Sequence, residues 1–132
     1  GDSVKFFRAA AFEHHEEEEQ ELFTAVLADA RPGEERERVQ AMIALLTREH
    51  RDIEAQWNLL EPQLKKLAQG QPAEVDGDAV SRLVEQYKAH ARFEELEFLP
   101  LSEQILGRNG NHMAALGLSL HMRHQPVILG HI

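Results

Sequence analysis

Three long stretches of helix-forming residues, each with apolar side chains returning every three or four positions, leave this chain few folds other than a bundle of helices. Breaks fall at Arg31-Pro32-Gly33, at Gln69-Gly70-Gln71-Pro72 running on to Asp76-Gly77-Asp78, and at Gly107-Arg108-Asn109-Gly110. Helices are therefore expected at about residues 3–29, 34–68 and 78–106, with a shorter one at about 111–124. The first stripe contains Phe7, Ala11, Leu22 and Ala25. The second contains Val39, Ile43, Leu46, Ile53, Trp57, Leu60, Leu64 and Leu67, and the third Val80, Leu83, Tyr87, Phe98, Leu101 and Ile105. Short connections between long helices favour antiparallel neighbours, so the expected fold is all-α, an up-and-down bundle.

With 132 residues, the whole of 1–132 is expected to form one domain around one core. No apolar run is long enough to span a bilayer and no charged-then-apolar leader is seen, so a cytoplasmic protein without a membrane partner is expected. The formal charge of −9 argues against a nucleic-acid partner, because phosphates need a basic surface. The chain has no cysteine, which removes disulfides, thiolate metal sites and thiol catalysis together. Nucleophile motifs and glycine-rich phosphate loops are also missing.

The informative residues are the polar ones inside the stripes. His14 and Glu18 continue the first stripe, His50 and Glu54 lie within the second, and His90 and Glu94 within the third. Residues three or four apart share a helix face, so these side chains should point where the core is. A buried imidazole or carboxylate without a partner is costly. Imidazole nitrogen and carboxylate oxygen are both ligands for first-row metals, and a cation between them removes that cost. A hydrogen-bonded buried network is the plainer alternative for all six. Glu54 could equally be a surface acid or an acceptor for a ligand histidine. His15 is expected to be exposed, or to exchange roles with His14 using Glu19 as its partner. Glu16, Glu17, Glu19 and Glu21 read mostly as a solvated face, and His112, His121 and His124 as surface residues. Trp57 and Tyr87 are expected to pack, with Tyr87 also placed to donate a hydrogen bond to a metal centre.

Residues 14–23, HHEEEEQELF, align without a gap on residues 90–99, HARFEELEFL. Both read His, three residues, Glu-Glu, any residue, Glu, then two large apolar residues. Two helices delivering the same ligand pair suggest two pseudo-equivalent metal positions.

With FFRAAAFEHHEEEEQELF (6–23), LLTREHRDIEAQWNLLEPQL (45–64) and YKAHARFEELEFLPLSEQIL (87–106), the chain resembles the hemerythrin-like proteins, the HHE cation-binding domain group. The resemblance implies an antiparallel four-helix bundle around a carboxylate-bridged pair of non-haem iron ions. It implies His14, Glu18, His50, His90 and Glu94 as ligands, with the two glutamates as bridges. Family members usually begin with a further helix that supplies one more histidine, and this sequence starts after it. The remaining ligand then falls to Glu54, to His121 or His124, to a neighbouring chain in a homodimer, or to water.

Carboxylate and imidazole ligands without thiolates suit iron or manganese and also accept zinc. An apolar wall of Leu22, Leu46, Trp57 and Phe98 would keep water from such a site. The expected function is metal binding linked to oxygen or redox sensing, or carriage of oxygen or iron, with a small ligand such as O2 and no catalytic residue. A di-iron oxidoreductase acting on peroxide or nitric oxide is a second reading. A metal-free structural bundle is a third.

Overall fold

A computed structural model of the chain describes residues 2–108, with side chains from Arg8 onward. Helix is the only regular structure among the described residues. The helix expected at 111–124, with His112, His121 and His124, lies outside them.

Three continuous helical rods make up the fold. The first runs through α1 (Asp2–Glu17), a π-helical turn π1 (Glu18–Leu22) and α2 (Phe23–Asp29). The second is α3 (Glu34–Ala68). The third runs through α4 (Gly77–Phe93), a second π turn π2 (Glu94–Phe98) and α5 (Leu99–Arg108). The rods are unbroken at the π turns, where the bordering residues keep right-handed helical angles, Leu22 at φ −69° and Phe93 at φ −60°.

Local chemistry explains where the rods end. Gly33, at φ 102°, turns the chain into α3, and Glu35 accepts a hydrogen bond from the Arg31 amide at 2.9 Å. At the far end Gly70, at φ 74°, takes the left-handed conformation that closes a helix. Its amide donates to the Leu67 carbonyl at 3.1 Å while that of Gln71 donates to Lys66 at 2.9 Å, the paired bonds of a Schellman stop. Asp76 caps α4 by accepting from the amides of Asp78 and Ala79 at 3.0 and 3.1 Å.

The apolar core is divided into two clusters. One gathers Leu22, Phe23, Val26, Val39, Leu46, Phe98, Leu99, Ile105 and Leu106. The other gathers Ile53, Trp57, Leu60 and Leu83, with Phe12 and Tyr87 packed against it. The order of clusters along the sequence gives the direction of each rod. The first rod passes from Phe12 to Leu22, from the second cluster to the first. α3 returns from Val39 to Leu60, and the third rod repeats the direction of the first, from Leu83 to Ile105. The described rods therefore run up, down and up. Of the fourth helix of the expected bundle nothing is described.

The π turns shift the apolar stripes. A π turn accommodates one extra residue, so positions beyond it advance by one relative to a plain α-helical register. Val26 is therefore fully buried where a plain register points to Ala25, which is half-buried. Past π2 the buried positions are Leu99, Ser102, Ile105 and Leu106, while Leu101 is half-buried. The Ser102 hydroxyl satisfies itself on the Phe98 carbonyl at 2.8 Å. Leu67, expected in the stripe, is exposed in the last turn of α3, where the rods no longer cover that face.

Candidate metal centre

Between the two apolar clusters, all three rods turn polar side chains inward. Glu18, His50, His90 and Glu94 are buried, and one donor atom from each lies within 4.8 Å of the others. Glu18 and Glu94 each open a π turn, and each stands one turn after a histidine. His14 Nε2 is 3.5 Å from Glu18 Oε2, and His90 Nε2 is 3.3 Å from Glu94 Oε2. The duplicated sequence segment is thus duplicated in geometry, down to the position of the π turn.

α3 crosses both, and His50 reaches Glu18 Oε1 at 3.2 Å through Nε2. Phe23 stacks on the His50 ring at 6.0 Å and meets Phe98 edge-on at 5.2 Å, so the first cluster closes one side of the polar group. Leu22, Leu46 and Phe98 are sealed from solvent there. Trp57 belongs to the opposite cluster, as does Tyr87, whose ring lies 6.4 Å from that of His90. Burial, reinforced by the charges of Glu94 and Glu18, holds the Tyr87 hydroxyl well above its ordinary pKa.

The outer nitrogens of three histidines are anchored. His50 Nδ1 donates to Glu19 at 2.8 Å, His90 Nδ1 to Glu49 at 2.7 Å and His15 Nδ1 to Glu54 at 2.8 Å. An ionised carboxylate only accepts, so the partner assigns the proton to Nδ1 and leaves the Nε2 lone pair of the neutral ring facing inward. Arg51 ties two of the acceptors together, pairing with Glu19 and, at 3.2 Å, with Glu54.

Glu54 therefore engages His15 and Arg51, and it is not one of the four converging donors. His14 stands beside Glu18, also outside that group of four. His15 departs from the expectation of an exposed residue. It is 1% exposed, and its partner is Glu54 rather than Glu19. Glu19 is no simple solvated acid either, because it orients His50. Glu49 and Glu19 escape a reading based on apolar stripes because they sit one residue off the inward face and act across to another rod. Their adjacency to His50 and Glu18 is the only sequence signal for them.

The electrostatics of the group ask for a cation. Burial, and then the neighbouring Glu94 charge, raise the Glu18 pKa well above the ordinary carboxyl value. Burial works against the charge on Glu94 too. The neighbouring Glu18 and His90 outweigh it and hold Glu94 at about 2. Without metal the two carboxyls thus oppose being ionised together. Burial lowers His50 to about 4 and His15 to about 2, helped by the neighbouring imidazoles. Burial opposes the charge on His90 as well, yet Glu94 on one nitrogen and Glu49 on the other raise its pKa.

Several inward atoms find no hydrogen-bond partner: both oxygens of Glu18, His50 Nε2 and His15 Nε2. An unsatisfied buried polar atom costs about 1–3 kcal/mol, so a folded chain rarely collects several at one point without a ligand to meet them. All are lone-pair donors of the kind that first-row metal ions accept, and the histidines are already fixed from behind as ligand histidines usually are. The residues present fit a bound metal.

Comparison with known sequences agrees. The family model of the hemerythrin HHE cation binding domain matches residues 1–102. An uncharacterized protein of Haemophilus influenzae is 30% identical over 116 residues, covering 85% of this chain. The alignment spans 64% of that relative's own length. No solved structure matches the chain significantly. The matched residues include His14, His15, Glu18, His50, His90 and Glu94 and run through both π turns into α5: the chain belongs to the hemerythrin HHE cation-binding domain family.

Proposed function

We propose that the chain holds a pair of non-haem iron ions, bridged by Glu18 and Glu94, and uses them to bind oxygen or to report redox state. The observation that carries this reading is the set of inward lone pairs on Glu18, His50 and His15 that no hydrogen bond satisfies. His50 and His90 would serve as terminal ligands, and His14 stands beside Glu18 to serve the same role. Two carboxylates and several imidazoles supply hard and borderline donors, which suit iron and accept manganese or zinc. When bound, an iron pair supplies reversible one-electron chemistry at each ion.

The chain's own residues set the conditions for that chemistry. Leu22, Leu46, Phe23 and Phe98 exclude water on one side, and Trp57 and Tyr87 belong to the apolar cluster on the other. Glu19 and Glu49 keep the Nδ1 protons of His50 and His90 in place and raise the donor strength of each Nε2. A cation between Glu18 and Glu94 would favour the ionised form of both, which burial and their mutual repulsion otherwise oppose. Among the described residues no helix is long and apolar enough to cross a membrane.

Elemental analysis and a visible spectrum of protein produced with added iron test the reading. Two irons per chain and a charge-transfer band that responds reversibly to O2 are expected. An iron-free, colourless protein after iron supplementation would overturn it. Steady consumption of peroxide or nitric oxide with a reductant would instead mark an oxidoreductase.

A further inference from the structure

His15 is a buried titratable group that neither the repeated ligand pattern nor the four converging donors account for. Its ring is 1% exposed and stacks on the ring of His50, centroids 4.0 Å apart and planes 5° apart. The ring of His90 lies 6.5 Å away and that of His14 6.2 Å. His15 is anchored as His50 is. His50 Nδ1 donates to Glu19 and His15 Nδ1 to Glu54, and one guanidinium, that of Arg51, pairs with both acceptors. Both Nδ1 atoms are turned to the same bridged pair of carboxylates, which leaves each Nε2 on a side of its ring that points away from them. Each of these two nitrogens is buried without a hydrogen-bond partner.

We propose that His15 Nε2 is a metal ligand of the centre, with Glu54 acting from behind it as the residue that positions the ring. This inference rests on the metal-binding reading above and adds to it a donor from the position beside His14. Two plain alternatives fail. A histidine buried only for packing would offer its ring to apolar neighbours, whereas this one faces three other imidazoles. A histidine kept for a hydrogen-bonded network would use both nitrogens, and His15 uses one. The arrangement assigns Glu54 a role as well. Its carboxylate is engaged by His15 and Arg51, which makes it an orienting group for a ligand rather than a ligand.

The test is a crystal structure of the full chain loaded with Co2+, the ion located by its anomalous signal. A titration of Co2+ against a chromophoric chelator accompanies it. His15 Nε2 is expected at bonding distance from a cobalt ion. In solution His15→Gln is expected to weaken cobalt binding by about 100-fold and Glu54→Gln by about 10-fold, the range seen when ligands and their supporting groups are altered. Cobalt held by His50 and His90 with His15 Nε2 out of bonding range would overturn the proposal and leave the metal reading standing. No cobalt in the crystal and none by elemental analysis would overturn both. Should His15→Gln fail to fold, the structure of the unaltered protein still decides.

Discussion

Glu18 and Glu94 are equivalent residues of two different helices: each follows a histidine by four positions, and each is the first residue of a five-residue π turn. A π turn carries one residue more than the helix around it and is marginally stable by itself, which is why such turns concentrate at functional sites. Here the extra residue brings a glutamate and the large apolar residue four positions on, Leu22 or Phe98, into the interior together.

The extra residue should therefore be removable without moving the core beyond it. Deleting Gln20, an exposed residue inside π1, would restore a plain helix in which Val26 falls on the position that a plain register buries. The urea midpoint of the metal-free protein is then expected to change little, as for other exposed positions. A loss of about 3 kcal/mol or more would show that the core beyond π1 had been displaced.

The double change His90→Ala/Glu94→Ala removes one of the two duplicated ligand pairs. A fall in metal affinity of more than about 100-fold is expected, together with a lower melting temperature in iron-containing medium. Metal content per chain by elemental analysis checks it. Equal content in both proteins would rule out the third rod as a source of ligands.

Arg51→Met should act on the metal through two carboxylates at once. Without the guanidinium, Glu19 and Glu54 lose the group that holds them against His50 and His15. Affinity is expected to drop about 10-fold with helix content unchanged, read by chelator competition and circular dichroism. Wild-type affinity in this variant would assign Arg51 to the surface alone.

The metal-free protein should weaken as the solution is acidified below about pH 6.5. His15 and His50 are held at about 2 and about 4 when folded, against 6.5 when free, so below that pH the unfolded chain takes up protons that the folded chain refuses. Stability carried by a lowered histidine is therefore present above 6.5 and declines toward the folded value. Glu18, whose pKa is raised, opposes this trend. So does His90, whose pKa is raised as well. Two protons set the limit, roughly 2.7 kcal/mol per pH unit between pH 6 and 5. Urea midpoints across that range check the slope, and a flat profile would contradict the burial of the histidines.

A separate pH effect belongs to the end of the bundle. Arg108 pairs with Glu35 at 3.0 Å, and its hydrogen bond lowers the Glu35 carboxyl to about 2. Stabilisation from a lowered carboxylate is complete above its free value of 4.5 and is lost as pH falls through about 2. Arg108→Met should lower the melting temperature slightly at neutral pH, and the difference should vanish near pH 2. A difference that persists there would point to packing of the Arg108 stem.

Much of this architecture can be read from residue spacing. The Pro and Gly breaks and the stripe through Val39, Leu46, Ile53 and Leu60 define α3 almost to the residue, because helix period and caps are local properties. The convergence of Glu18, His50, His90 and Glu94 is legible for the same reason: each replaces an apolar residue at a stripe position. What spacing misses depends on geometry between rods. Val26 and Ser102 lie in the core because π turns shift the register, and no spacing rule anticipates a π turn from ordinary helix formers. His14 and His15 are both buried, although adjacent helical residues point about 100° apart, because the neighbouring rods enclose that arc of the first rod. Glu19 and Glu49 find histidines 31 and 41 residues away, a relation that only the folded chain reveals.

The division of the core gives the polar layer a mechanical meaning. Leu46 and Ile53 belong to different apolar clusters, and between them on the same helix stands His50 with a charged neighbourhood. Each rod is gripped at two places with a weak waist between, so the two halves communicate chiefly through whatever fills that waist. An ion there would act as a rivet, making one cooperative body out of two. With the waist loosened, the halves could melt at different temperatures, so occupancy would be legible in the sharpness of unfolding as well as in its midpoint.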